Sequence, residues 1–157
     1  GRANAWISIG IVEMLDYVPK NRETICALEK QLDAASLWQM ENGLWRTVLN
    51  GTFSYQEASS AYGFGYAVLK GIRLGVLDKK HFSIVKKMQN TLFQNIDETG
   101  MVHNISAGTP VLRNEAEYNI VCEHRIQTWG QGLALLFFSE WSRWEKENLF
   151  SQLMHQG

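Results

Sequence analysis

Proline is scarce in this chain, and so is cysteine. Only Pro19 and Pro110 occur in 157 residues, and only Cys26 and Cys122. Few prolines leave long stretches free for helix, since an interior proline removes a hydrogen bond and clashes with the preceding turn. Two cysteines without CxxC or other zinc-ligand spacing exclude a zinc ribbon and a disulfide-dense scaffold. They read as small core residues in a reducing, cytoplasmic compartment, with a disulfide left open. A surplus of charge is lacking too: 15 Lys and Arg against 16 Asp and Glu give a net charge of −1. No footprint for nucleic acid or an anionic membrane surface follows from that. The densest basic run, Lys79-Lys80 with Lys86-Lys87, fits a solvated helix face. No apolar run approaches the roughly 18 residues that span a bilayer. Neither an initiating Met nor a helix start signal precedes the apolar stretch that opens the chain. A buried-looking element at residue 1 predicts the C-terminal part of something longer, in which a signal peptide would go unseen.

What is abundant is apolar and aromatic. Hydrophobic residues make up 45% of the chain, with six Trp, seven Phe and five Tyr. One domain with a real core is affordable at this length. So rich an aromatic supply also suits a cleft in which rings stack on sugars.

Hydrophobic periodicity predicts five helices. The first, from about Asn4 to Tyr17, is apolar on most sides and so reads as buried. Ile7, Ile11, Met14, Leu15 and Val18 form its stripe, which Trp6, Ile9 and Val12 widen. Pro19 ends it. The second, about Arg22 to Met40, starts at a capping Asn21 and turns Ile25, Leu28, Leu32 and Ala35 inward. The third, about Tyr55 to Leu74, has Ser54 as cap and Glu57 in the capping-box position. Its Gly63, Gly65 and Gly71 argue for tight helix contact, because each costs about 1 kcal/mol relative to Ala in a helix. The fourth runs from about Lys79 to Ile96 after a capping Asp78. The fifth runs from about Gly130 to Trp144 and is again apolar nearly all round. Residues 145–157 read as a tail of short helix or disorder, which leaves 1–144 as the domain proper.

An internal repeat links these elements. Leu37-Trp38-Gln39, an acidic residue, Gly43-Leu44-Trp45 and Val48 match Leu92-Phe93-Gln94, an acidic pair, Gly100-Met101-Val102 and Ile105, 57 residues on. Each copy closes an amphipathic helix, enters a glycine turn and a short extended segment, and leads towards a nearly all-apolar helix. Alternating inner and outer helices with such a repeat predict an α/α toroid with short β-hairpins between helices. The stretch Thr99–Thr128 is long for a loop in a compact domain, which marks it as functional or as holding a hairpin.

Six segments carry a family resemblance. Gly1-Arg2-Ala3-Asn4-Ala5-Trp6 resembles R-G-N-x-W, and Gly43-Leu44-Trp45 with Val48-Leu49 resembles G-L-W-x-x-V-L. Glu57-Ala58-Ser59-Ser60-Ala61 resembles E-T-S-A-S, and Lys70-Gly71-Ile72-Arg73-Leu74-Gly75 resembles K-G-I-R-L-G. Ser106-Ala107-Gly108-Thr109-Pro110 resembles S-G-G-T-P, and Thr128-Trp129-Gly130-Gln131-Gly132 resembles a closing Y-G-Q-G. In this order they are similar to the unsaturated glucuronyl and rhamnogalacturonyl hydrolases, glycoside hydrolase families 88 and 105. The resemblance implies an all-α, six-hairpin toroid, of which this chain holds about half. It also implies an enzyme that hydrates the 4,5 double bond of an unsaturated uronyl residue. The catalytic Asp of the family lies upstream of the R-G-N-x-W segment, so the resemblance implies no catalytic acid here. Asp16, Asp33, Asp78 and Asp97 match no catalytic position and read as surface or capping residues.

For substrate binding the resemblance implies Arg2, facing the uronate carboxylate, and Trp6, stacking on sugar. Asn4 either bonds a hydroxyl or caps its helix. Trp45 and Trp129, in loops that enter inner helices, are further candidates, with packing the alternative for each. Glu57 reads as a cap and Tyr62 as core. His103 and His124 have no partner at metal spacing, and no metal or cofactor is expected. The partners expected are an oligosaccharide substrate and a copy of the chain, or the missing N-terminal half, against exposed apolar helix faces. A non-catalytic helical sugar-binding or assembly module is the competing function. A sugar epimerase of toroid fold is a weaker one, against which K-G-I-R-L-G and S-x-G-T-P speak.

Overall fold

A computed structural model describes residues 1–123 and 125–154. The elements run α1 (Arg2–Tyr17), α2 (Arg22–Ser36), β1 (Trp45–Arg46), β2 (Gln56–Glu57), α3 (Ser59–Arg73), a 3-10 turn (Lys79–His81), α4 (Phe82–Gln94), α5 (Glu115–Tyr118) and α6 (Thr128–Met154). The middle of the molecule is α3, which packs against α1 on one side, α6 on the other and α4 behind; α2 backs α1. Residues at the starts of α1, α3 and α6 meet, as Arg2 does with Ser59 and Trp129. Further along, Lys70 near the end of α3 meets Glu13 near the end of α1, and Arg73 at the end of α3 meets Glu140 halfway along α6. These three inner helices are therefore parallel. Gln31 late in α2 bonds Asn4 early in α1, and Tyr62 early in α3 bonds Leu92 late in α4, so the outer helices run the opposite way. Parallel inner helices joined through antiparallel outer ones make about half of an α/α toroid.

Local chemistry explains most boundaries. Asn21 accepts from the Glu23 and Thr24 amides, and Asp78 from that of Lys80, as their capping roles require. The repeat is exact in its hydrogen bonds. Gly43 N–H donates to Met40 and Met40 N–H to Leu44; 57 residues later Gly100 donates to Asp97 and Asp97 to Met101. Both glycines take positive φ, +84° and +82°, a conformation that other residues rarely hold. One turn leads into the β1–β2 hairpin, registered Trp45↔Glu57 and Arg46↔Gln56, and the other into the isolated bridge Ile96↔Val102.

Several expectations are corrected. The third helix starts at Ser59, not Tyr55, and Ser54 is not its cap. The Glu57 carboxylate accepts from the Ser59 and Ser60 amides, so a side chain ahead of the helix does the capping. On α1 the buried face is Ala5, Ser8, Ile9, Val12 and Leu15, while Trp6, Ile7, Met14 and Val18 are exposed. Close approach explains the change: a Cβ on Gly63 of α3 would lie 2.8 Å from Ala5 Cβ. The position directly opposite Gly63 is therefore taken by a small residue, Ala5. Cys122 is exposed rather than core, Cys26 is half-buried, and both are free thiols. The fifth helix begins at Thr128 and continues past Trp144 to Met154. The long connection after α4 holds bridges and the short α5.

Between α4 and α6 lies an aromatic cluster in which Phe82 stacks on Trp144 at 4.5 Å and Phe93 tilts onto Phe138 at 4.9 Å. Much of the aromatic supply thus serves packing, with centroid spacings in the favourable range.

At the far end of the inner helices Lys70 is almost fully enclosed. Its Nζ reaches Glu13 at 2.8 Å and Asp16 at 3.1 Å, and Tyr66 OH also donates to Glu13. Burial pulls Glu13 up, but the bonds from Lys70 and Tyr66 outweigh it and leave its pKa lowered. Burial pulls Lys70 down, and its two carboxylate partners more than reverse that. Tyr66 is pushed up to about 12, first by burial and then by Glu13. A lowered Glu13 stabilises above the ordinary glutamate range and loses its contribution as pH falls through its folded value. A raised Lys70 stabilises below the ordinary lysine range and loses its contribution as pH rises through its folded value. The stability lost in Lys70→Met is therefore expected to be flat across neutral pH and to shrink at both extremes. About 1–2 kcal/mol is expected on the plateau, after allowing for the solvent around Glu13. Urea melts of both proteins from acid to alkaline pH measure it.

Candidate functional site

Arg2 organises the mouth end of the inner helices. One guanidinium nitrogen donates to Ser106 O and Ser106 Oγ, both at 3.2 Å, and to Ser59 Oγ at 3.5 Å. The other donates to Ala107 O at 2.9 Å and Thr109 Oγ1 at 3.3 Å. The group also lies over the Trp129 ring, 5.3 Å from its centroid, a cation–π distance. Ser59 Oγ passes its own proton to Glu57 at 2.8 Å, so a polar chain runs from Arg2 to a buried carboxylate. A planar fork of donors suits this bracing of loop oxygens, which a lysine could not reproduce.

The other candidates divide. Trp129 joins Arg2, and its Nε1 finds no acceptor among the described residues. Asn4 is not a cap, because Gly1 holds that position; its carbonyl accepts from Ser8 Oγ and Gln31 Nε2, and its Oδ1 lies 3.5 Å from Gln31 Nε2. Trp6 is 45% exposed on the surface of α1. Trp45 is fully buried, its Nε1 donating to Ala35 O at 2.8 Å, which corrects its placement at the mouth. Tyr62 is core, as expected, and Glu57 serves the helix start. His103 is half-exposed and pairs with Asp97 at 2.6 Å. The Thr99 hydroxyl, followed by His103, holds the Asp97 carboxyl well below the usual range. His124 lies outside the described residues. Ser59, Ser106 and Thr109, the acceptors of Arg2, were marked by their motifs but not singled out; their role needs the three-dimensional meeting of distant segments.

A cavity of about 680 Å³ opens beside the start of α1. Arg2 and Asn4 of α1 line it, with Trp38 just after α2, Thr47–Asn50 as one wall and Thr109–Val111 with Tyr118 as another. Among the described residues no His, Cys, Asp or Glu cluster could hold a metal ion, and no helix is long and apolar enough to cross a membrane.

The family profile described as Glycosyl Hydrolase Family 88 matches residues 1–145. The chain belongs to this family. Within it, the chain is 33% identical over 144 residues to the unsaturated rhamnogalacturonyl hydrolase YesR of Bacillus subtilis (strain 168). That match covers 89% of this chain and 40% of the relative, so the chain spans about two fifths of the relative's length. A solved structure of a possible GH105 member from Klebsiella pneumoniae subsp. pneumoniae MGH 78578 superimposes with a TM-score of 0.82 at 30% identity, over 90% of this chain and 39% of that one. Another, from Salmonella enterica subsp. enterica serovar Paratyphi A str. ATCC 9150, gives 0.82 at 29%, over 90% and 39%. The family 88 and 105 toroid is therefore the fold of this half.

Proposed function

We propose that this chain is the C-terminal part of a hydrolase that removes an unsaturated uronyl residue from rhamnogalacturonyl or glucuronyl oligosaccharides. The observation that carries the reading is the Arg2 fork, braced by the Ser106–Thr109 loop and Trp129 at the mouth of a family 88 half-toroid. A guanidinium held at one end of parallel inner helices suits a uronate carboxylate. In this reading Arg2 orients that carboxylate, Trp129 backs the guanidinium, Trp6 offers a stacking face and Asn4 a hydroxyl contact. Trp45 has no part, because its ring is enclosed. The reaction is hydration of the 4,5 double bond: a carboxylic acid gives its proton to one alkene carbon, water adds to the neighbour and returns a proton to the carboxylate, and the hemiketal formed opens to a carbonyl with its ring oxygen taking up the hydroxyl proton. The acid comes from polypeptide upstream of Gly1, since no Asp of this chain stands free at Arg2: Asp16 holds Lys70, Asp33 holds His81, and Asp78 and Asp97 hold turns.

The reading includes a domain of residues 1–144 with a following tail, supported by a family match that ends at residue 145. It includes a cytoplasmic location, in keeping with two free thiols. It also includes pairing of the exposed α1 face, with Ile7 and Met14, and of Leu135 on α6 with the N-terminal half or another copy.

One experiment addresses activity and pairing together. This chain, alone and with the upstream polypeptide of its complete reading frame, is given an unsaturated rhamnogalacturonyl disaccharide. Loss of ultraviolet absorbance reports turnover, and light scattering on the same samples reports assembly. Turnover only with the upstream part, in a paired species, is expected. No turnover in any combination would remove the reading, and a chain that stays monomeric throughout would remove the pairing.

A further inference from the structure

Residues 106–121 leave and rejoin the fold at one place. Ile105 and Arg125 exchange two backbone bonds, and Ala107 N–H donates to Cys122 O, so the excursion is a compact loop closed at its base. It carries Thr109–Val111 and Tyr118, one wall of the cavity. Another wall, Thr47–Asn50, belongs to the connection between β1 and β2. These walls are far apart in sequence, and something must fix the gap between them.

We propose that Glu115 is the positioning residue that fixes this gap. Its carboxylate sits in a nest of three successive amides, accepting from Thr52 N at 3.2 Å, Phe53 N at 3.0 Å and Ser54 N at 2.6 Å. Such concave amide triplets are built to hold an anion. Asn119, one turn along, accepts from Tyr55 N at 3.2 Å. The loop is held inwardly as well: Leu112 N–H donates to the Tyr118 hydroxyl at 3.3 Å, and Arg113 N–H to Glu117 at 2.9 Å. Fastening Glu115 thus carries Tyr118 and the Thr109–Val111 wall with it. Gly51 is an independent sign that the seat is shaped for this carboxylate. A Cβ there would lie 2.1 Å from Glu115 Oε1 and 2.6 Å from its Cδ, a clash that ejects the acid. Burial raises Glu115, and the amides of Phe53, Ser54 and Thr52 outweigh it to leave its pKa lowered, so it is ionised at neutral pH. The inference rests on the proposed function for its consequence, a set width of the substrate cavity above Arg2, and on geometry alone for the fastening.

The test compares Glu115→Ala and Glu115→Gln with Gly51→Ala, which keeps the carboxylate but blocks its seat. Amide exchange on the 157-residue chain is expected to speed up about tenfold or more at Thr52, Phe53 and Ser54, and at Leu112 and Arg113, in Glu115→Ala. Gly51→Ala should match it, the double variant should add little, and Glu115→Gln should fall between. In the complete reading frame, KM for the unsaturated disaccharide is expected to rise about tenfold while kcat stays within about twofold. Unchanged exchange, or additive effects of the two sites, would overturn the fastening. Faster exchange at 52–54 with Leu112 and Arg113 unmoved, or KM unmoved, would reduce Glu115 to a local staple and overturn the positioning role. If the wild type turns over nothing, the functional reading fails by itself, and exchange at Leu112 and Arg113 decides the role of Glu115.

Discussion

Trp45→Ala is expected to destabilise the fold by about 3–5 kcal/mol. The indole is fully enclosed, tilted on Phe64 at 4.9 Å, and it satisfies the Ala35 carbonyl that ends α2. Truncation opens a cavity at the joint of the β1–β2 hairpin and α2, and removes one of the donors to that carbonyl, which keeps the Trp38 amide. For a chain of this length the loss corresponds to a fall of roughly 6–20 °C in the melting midpoint. Calorimetry or a denaturant melt measures it. A smaller companion effect is expected in Trp45→Phe, which refills most of the volume and loses the N–H. An unchanged midpoint in Trp45→Ala would return the ring to the list of ligand-facing aromatics.

Arg2→Lys is expected to lower kcat/KM for an unsaturated disaccharide about 100-fold in the complete reading frame, and to lower the melting midpoint by several degrees as well, because the bonds it loses also brace the fold. Two or more charge-assisted bonds are lost, each worth about 1.5–3 kcal/mol, and about 1.4 kcal/mol is tenfold in rate. Lysine keeps the charge but presents one ammonium, so it cannot reach Ser106 O and Ala107 O together while lying flat over Trp129. Steady-state kinetics at constant ionic strength provide the check. A variant that retained wild-type kcat/KM would show that charge alone is used at this position.

How much of this was legible depended on whether a feature is local. The caps Asn21 and Asp78 and the turns at Gly43 and Gly100 follow from short-range chemistry, and each stands where the sequence puts it. The start of α3 was misread because Glu57 caps from outside the helix, a geometry the capping-box pattern does not describe. The face of α1 was misread because large apolar side chains outvoted Ala5 and Ser8 in the pattern. The actual seam is chosen by a glycine on another helix, Gly63, which no periodicity in α1 can reveal. At the site, the motifs located the segments that converge on Arg2. Their partition into Arg2 braced by loop oxygens and Trp45 sunk in the core required contacts across 104 and 10 positions of sequence. The four-residue α5 left no periodic signal, yet it carries Glu115.

The common direction of α1, α3 and α6 has an electrical consequence. Aligned peptide dipoles leave about half a positive charge at each helix N-terminus and half a negative charge at each C-terminus. Three such positive ends gather beside Arg2, with Glu57 offsetting one of them. The carbonyl ends of α1 and α3 meet at the opposite pole, where Lys70 and Arg73 in the last turn of α3 answer them, while α6 runs on past this level to Met154. A chain with a net charge of only −1 thus carries a local positive field at the starts of its inner helices that comes from the orientation of its backbone.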